Sequence, residues 1–403
     1  MAIVVQKYGG SSVADVDKIR QVADRVATAK AAGKDVVVVV SAMGDTTDEL
    51  LALAKKLTDS PARRELDMLL SAGERISMAL LAMALEKRGA HAASFTGSQA
   101  GIITNDAHTN ARIVEVRPYR VQDELAKGKV VIVAGYQGVS YKKDVTTLGR
   151  GGSDTTAVAL AAALDAQACE IYSDVAGVYS ADPRVVSDAV RLSELSYEEM
   201  QELAEAGAKV LNAQAVEFAK DRGIALYARA SSGEPGETVV RKLPAGAPAR
   251  VVGVASQTGL VQLSVTDGLE TLEGLLDTLD GWGVPGKELL FRATGPASEG
   301  SLLLSLENLH DFASLRAELA GRFGDRVRLI EGLGAVSVIG TGINASFETL
   351  RRCLEALSGM GAALRGLSTS SFRISLLLDE RHVQEAVKRL HAVLARGDAS
   401  SRR

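Results

Sequence analysis

Lys7-Tyr8-Gly9-Gly10-Ser11-Ser12-Val13 follows directly on the apolar run Ile3-Val4-Val5. A β-branched run that ends in a lysine and two glycines, then enters helix-patterned sequence, reads as strand, turn and helix. Glycines let backbone N–H groups approach an anion with no side chain in the way. Apolar residues at Val16, Ile19, Val22, Ala23 and Val26 give the next segment a helical period. The positive end of that helix points back at the turn. Lys7 adds a full charge, so the turn suits phosphate. The plainer alternative is a tight strand–helix turn with a surface lysine. A second glycine-rich stretch far down the chain, Gly149-Arg150-Gly151-Gly152-Ser153-Asp154, favours the anion reading.

Outward from this turn, short β-branched runs alternate with helical patterns as far as residue 243. Strands are expected at 3–5, 36–40, 92–95, 130–133, 169–172 and 224–227, with helices including 66–88, 155–164 and 212–222. Strands separated by helices imply an α/β fold with a mainly parallel sheet sandwiched by helices. Ligands of such sheets bind at the carboxyl ends of the strands. Leu243-Pro244-Ala245-Gly246-Ala247-Pro248-Ala249 reads as a linker. Beyond it, 251–327 and 328–397 each approximate β-α-β-β-α-β, the ferredoxin-like α+β unit. The expected domains are therefore 1–243, 251–327 and 328–397.

The chain has 403 residues, 46% hydrophobic and 24% charged, with a net charge of −4. That balance argues against a nucleic-acid surface, which demands clustered cations. The longest apolar run, Val36 to Val40, is a buried-strand length, so no membrane partner is expected. The N-terminus shows no secretory signal, and Cys169 and Cys353 suggest no disulfide framework. His91, His108, His310, His382 and His391 show no metal-ligand spacing, so no protein metal site is expected. A cytoplasmic location fits.

The common nucleotide motifs, G-x-x-x-x-G-K-[ST] and G-x-G-x-x-G behind a strand, are missing. Six other strings occur in order: residues 7–13, Val40-Ser41-Ala42-Met43-Gly44-Asp45-Thr46-Thr47-Asp48-Glu49-Leu50, Ser71-Ala72-Gly73-Glu74-Arg75, the 149–154 stretch, Ser173-Asp174-Val175-Ala176-Gly177-Val178-Tyr179-Ser180-Ala181-Asp182-Pro183-Arg184, and Gly207-Ala208-Lys209-Val210-Leu211. Together they resemble aspartate kinase, over essentially all of residues 1–230. The form resembled is the short bacterial one, an amino-acid-kinase domain followed by two ACT domains.

The resemblance implies Mg²⁺- and ATP-dependent phosphorylation of the β-carboxylate of L-aspartate. A carboxylate with a pKa of about 3.9 is already ionised and needs no general base. Catalysis then rests on cations, backbone donors and positioning. The resemblance puts Lys7 on the transferring phosphate, Lys209 on the nucleotide phosphates and Asp154 at the catalytic centre. Read alone, Asp154 is a helix N-cap. Tyr8, Gly9, Gly10, Ser173, Asp174, Tyr179, Ser180, Ala181, Asp182, Pro183 and Arg184 fall in the implied ATP segments, although Asp182-Pro183-Arg184 in isolation is a turn signature. Arg150 offers a planar fork for the substrate α-carboxylate, within Gly151, Gly152 and Ser153. Glu74 needs a cationic partner if buried, either the substrate α-ammonium or a neighbour such as Arg75. Ser41 and Thr47 offer hydroxyls to substrate, while Thr46, Thr47 and Asp48 also suit a helix cap. Ser98-Gln99-Ala100-Gly101 is a weaker match near the substrate. The other class of reading is a catalytically silent, amino-acid-binding regulatory protein. It predicts loss of Lys7, Asp154, Asp174 or Lys209, and all four are present.

ACT units pair side by side, so the resemblance implies a homo-oligomer through 251–397, with a separately initiated small subunit as a variant of that assembly. Thr266-Asp267-Gly268-Leu269 and Val284-Pro285-Gly286-Lys287-Glu288-Leu289 depart from the effector-binding pattern of the family. In the second unit, Gly340-Thr341-Gly342-Ile343-Asn344-Ala345 also lacks the Pro-Gly turn. Pro285 is expected to remove a sheet donor. Lysine plus threonine is accordingly expected to inhibit weakly or not at all.

Overall fold

The computed structural model describes residues 2–149, 151–243, 250–294, 297–309 and 311–394. It divides into two compact units. The first comprises Met1–Val178, Arg191–Ala204 and Lys209–Ala245, and the second Tyr179–Val190, Glu205–Ala208 and Gly246–Arg403. Two inserts from the first 243 residues thus pack with the second unit, and the division is not a single cut. Residues 244–249 of the expected linker lie outside the described residues, as do His310 and the end of the second expected repeat beyond 394.

The first unit is built on an eight-stranded sheet. Its order is Glu194–Leu195, Glu237–Val240, Leu226–Ala230, Ala168–Ser173, Ile3–Tyr8, Asp35–Val40, Val130–Ala134, Ala92–Phe95. All neighbours from Leu226–Ala230 to Ala92–Phe95 run parallel. Val36 through Val40 are fully buried, which is why that strand is a continuous apolar run and does not alternate. Helix Val16–Ala31 starts where the Asp15 side chain accepts from the Lys18 N–H at 2.8 Å. The strand expected at 224–227 forms instead as Leu226–Ala230. Gly223 adopts φ +67 and ends the preceding helix, and the Ile224 N–H closes that turn on the Ala219 carbonyl.

The helix expected at 66–88 forms as two, Arg63–Leu70 and Ala72–Glu86. The Ser71 hydroxyl donates back to the Met68 carbonyl, and the Ser71 carbonyl accepts from the Gln137 side chain. By length and composition the stretch Arg63–Glu86 is long and apolar enough to cross a membrane. Here buried Asp67 and Glu74 and fully buried Leu81 and Leu85 make it a core element. A small sheet absent from the sequence reading, Ile113–Val116, Ile102–Thr104, Gln137–Ser140 and Val145–Thr147, completes the unit. Its strands are three or four residues long, too short to show a period.

The second unit is one six-stranded antiparallel sheet, ordered Gly286–Thr294, Ala297–Ser305, Arg250–Thr266, Val327–Thr341, Arg373–Asp379, Gly366–Thr369. Two cores share it. Leu272, Leu275, Leu315 and Leu319 pack on Val261, Leu263, Val265 and Val327. Cys353, Val387 and Leu390 pack on Val254, Val336, Val338 and Leu376. Each long central strand therefore serves both cores, and the two repeats interleave where the sequence suggested tandem blocks at 251–327 and 328–397. Pro285 precedes the edge strand, whose first paired residue is Gly286, so it removes no ladder donor.

Candidate active site

Lys7 stands near the carboxyl end of the central strand Ile3–Tyr8. Its Nζ lies 2.6 Å from Asp154 Oδ1, and the side chains are only 13% and 8% exposed. Asp154 is not the helix cap. Gly151, at φ +72, occupies that place, and Asp154 is the third residue of helix Gly152–Ala163. The other Asp154 oxygen accepts from the Asn212 N–H at 3.3 Å. Asn212 in turn caps Ala213–Arg222, accepting from the Gln214 and Ala215 N–H groups at 2.9 and 3.2 Å. A Cβ on Gly151 would lie 2.3 Å from Asn212 Nδ2. Two helix starts and one strand end thus converge on a lysine–carboxylate pair, an arrangement that concentrates positive potential. Asn212 went unread in the sequence because asparagine before a helix signals only a cap.

The glycine turn is tied down on both sides. The Gly9 N–H donates to the Tyr172 carbonyl at 3.3 Å, and the Gly44 N–H to the Gly10 carbonyl at 3.2 Å. A Cβ on Gly10 would approach the Ala42 carbonyl oxygen to 3.0 Å. Ser41 follows the neighbouring strand, its N–H on the Tyr8 carbonyl. Thr47 is half-buried in the first turn of helix Thr46–Lys55. That helix has no side-chain cap: the Thr46 hydroxyl donates to the Met43 carbonyl instead.

Glu74 sits in the first turn of Ala72–Glu86, 2% exposed. Its Oε1 accepts from the Ala42 N–H at 3.2 Å, while Oε2 has no hydrogen-bond partner among the described residues. Arg75 turns to Gln137 at 3.4 Å, so the ion pair that the sequence left open does not form. Burial raises the Glu74 pKa to about 7, against the lowering effect of its backbone donors.

Other residues fall elsewhere. The Tyr8 ring is fully buried, stacked on Tyr172 at 4.7 Å with its hydroxyl on Gln6, so only its backbone borders the turn. Ser153 is buried, and a Cβ on Gly135 would meet its Oγ at 2.7 Å. The Ser173 hydroxyl bonds the Val175 carbonyl, and Asp174 is exposed. Tyr179, Ser180, Ala181, Asp182, Pro183 and Arg184 pack with the second unit, with Ser180 and Ala181 buried and Asp182 paired to Arg184 at 2.7 Å. Lys209 is exposed in the turn before Asn212. Arg150 lies outside the described residues, between Gly149 and Gly151, which both adopt positive φ. A further buried carboxylate, Asp67, accepts from His108 Nδ1 at 2.6 Å, Thr109 N–H at 3.0 Å and Thr147 Oγ1 at 2.5 Å. It braces the strand that leads into residues 149–152. No motif pointed to it, because its partners are distant in sequence.

A parallel sheet with a lysine–carboxylate pair beneath glycine turns at its carboxyl edge defines a phosphoryl-transfer class, and the family model for the amino acid kinase family matches residues 2–228. Relatives narrow this. The aspartokinase of Mycolicibacterium smegmatis is 44% identical, over 98% of this chain and 97% of its own. That of Corynebacterium glutamicum is also 44% identical, over 97% and 96%. Among solved structures, E. coli aspartokinase III in complex with aspartate and ADP superposes with a TM-score of 0.84 at 26% identity, covering 98% of this chain and all of that one. The chain belongs to the aspartokinases, the aspartate-phosphorylating enzymes of the amino acid kinase family.

Proposed function

We propose that this aspartokinase moves the γ-phosphoryl group of ATP onto the β-carboxylate of L-aspartate, giving 4-phospho-L-aspartate and ADP, the first step toward lysine, threonine and methionine. The observation that carries the mechanism is Lys7 held by Asp154 at 2.6 Å, at the carboxyl edge of the sheet. The attacking carboxylate is already anionic, so the barrier is the approach of one anion to another. Lys7, pinned by Asp154 and flanked by helix starts, neutralises charge on the transferring group without reorganising. Glu74 Oε2 takes the substrate α-ammonium, and Arg150 its α-carboxylate. Ser41, Thr47 and the backbone of Gly151, Gly152 and Ser153 complete the aspartate site. Gly9, Gly10, Ser173, Asp174, residues 179–184 and Lys209 take the nucleotide.

The described residues hold no group of three or more His, Cys, Asp or Glu able to bind a metal ion. Mg²⁺ is commonly carried by nucleotide phosphates with only one or two carboxylates, so in this proposal it enters with the ATP. Bound there, it would add charge neutralisation on the phosphates. A cytoplasmic enzyme and a homo-oligomer through the second unit belong to the same proposal. Weak inhibition by lysine plus threonine rests on the departures at 266–269, 284–289 and 340–345, without the lost donor at Pro285.

The test is a hydroxamate assay with aspartate, ATP and Mg²⁺. Lys7→Ala should lower kcat far more than it raises the aspartate KM, and Arg150→Ala should chiefly raise that KM. A Lys7→Ala enzyme with near-normal kcat would remove Lys7 from the mechanism.

A further inference from the structure

We propose that Lys287 and His391 are positioning residues for the phosphoryl donor, holding from within the second unit the stretch that carries residues 179–184 and the stretch that leads to Lys209. The inference rests on the assignment of 179–184 and Lys209 to ATP. Both stretches, Tyr179–Val190 and Glu205–Ala208, belong to the second unit.

The first stretch is sewn into a core. Ala181 and Val186 are buried with Val254, Val338 and Leu390. The Ser180 N–H donates to the Val190 carbonyl at 2.8 Å, and the Ser180 carbonyl accepts from Val254 N–H at 2.7 Å. Its hydroxyl oxygen accepts from Val190 N–H at 2.9 Å and lies 2.9 Å from Nε2 of His391, which is 2% exposed on helix Val383–Leu394. With the oxygen already accepting, the hydroxyl proton is available to Nε2. The strand Arg250–Thr266 can come this close only through Gly253, where a Cβ would lie 2.9 Å from the Ser180 carbonyl oxygen.

The second stretch is held by the segment that departs from the family pattern. Lys287 Nζ donates to the Glu205 carbonyl at 2.9 Å and to Gln257 Oε1 at 3.2 Å. The edge strand is irregular between Lys287 and Leu290, with Glu288 at φ +52. Gly207, at φ +109, presses on the Ser256 carbonyl, which a Cβ would meet at 2.2 Å. Arg373 adds a longer pairing to the Glu205 carboxylate at 4.0 Å. Lys209 follows two residues after Gly207. A lysine that bonds a main-chain carbonyl fixes a turn without specifying the turn's own side chain, and fixing the turn lowers the ordering cost of binding nucleotide.

The experiment uses the full chain with Lys287→Met, Lys287→Arg and His391→Leu. It measures melting temperature, ADP affinity by calorimetry, and KM for ATP and for aspartate. Lys287→Met should weaken ADP and raise the ATP KM about three- to tenfold, leaving the aspartate KM and the kcat at saturating ATP within about twofold. Lys287→Arg should restore most of the loss. His391→Leu should show the same split; if it fails to fold, the lysine pair still decides. An unchanged ATP KM, or ATP and aspartate terms that fall together, would overturn the inference. An unaltered chain that binds ADP but forms no hydroxamate would sink the proposed reaction and leave the ADP arm able to decide this one.

Discussion

Glu74 holds one oxygen on the Ala42 N–H and keeps the other bare in a site 2% exposed. Burial lifts its pKa from 4.5 to about 7. The folded state therefore keeps a proton that the unfolded chain has already lost between those values. Its contribution to stability falls as pH rises from about 4.5 to about 7 and is level above, by about 3 kcal/mol at most. Glu74→Gln should melt above the unaltered enzyme at pH 8 without substrate, with the gap closing toward pH 4.5. The same carboxyl must ionise to meet an ammonium, so kcat/KM for aspartate should climb through pH 7 and lose that limb in Glu74→Gln. An unaltered profile in the variant would remove Glu74 from substrate binding. At this scale the charged members were legible, because Lys7, Asp154 and Glu74 sit in strings whose order is specific. Their partners were not. Asp154 looked like a cap until Gly151 took that role, and Tyr8 looked like a ligand contact although its ring belongs to the core.

Among elements, the site depends on helix starts. Asn212→Ala removes the cap of Ala213–Arg222, worth about 1 kcal/mol, and should lower the melting temperature by a few degrees with little effect on the aspartate KM. Gly151→Ala is harsher, since it strains a φ of +72 and drives a methyl to 2.3 Å from the Asn212 amide. It should cost well over 1 kcal/mol and most of the activity; thermal melts beside the hydroxamate rate check both. A Gly151→Ala enzyme with normal rate and melt would show that the backbone there can shift freely. The central parallel strands Ile3–Tyr8, Asp35–Val40 and Val130–Ala134 could be read in advance because they carry buried runs of valine and isoleucine. The break at Ser71 and the small sheet could not, since each depends on distant side chains such as Gln137.

For the whole molecule, the second unit's sheet ends in two edges, Gly286–Thr294 and Gly366–Thr369. Leu289 and Leu290 on one are 53% and 49% exposed, and Leu367 on the other is 42% exposed. Open edges bearing leucine invite pairing with a second copy. Light scattering at micromolar concentration should give at least a dimer, and Leu290→Glu should weaken it; a monomer in the unaltered chain would end the assembly proposal. Beyond 250 the alternation of strands and helices was readable from its periods, but two β-α-β-β-α-β units call for eight strands where the sheet has six, and which half of each long strand serves which core is a matter of pairing, invisible to local pattern.

Because Arg250–Thr266 and Val327–Thr341 each cross from one core to the other, neither repeat can be cut out whole. A fragment starting at 328 lacks the strand bearing Val254 and exposes the flank of Val336 and Val338. It should remain unfolded, whereas one starting at 250, which keeps both long strands and loses only Ala181 and Val186 among the buried residues of that core, should give a single calorimetric transition. The two repeats thus form one cassette: an exchange of segments that keeps both cores must carry both repeats or neither, and the pair should melt as one body.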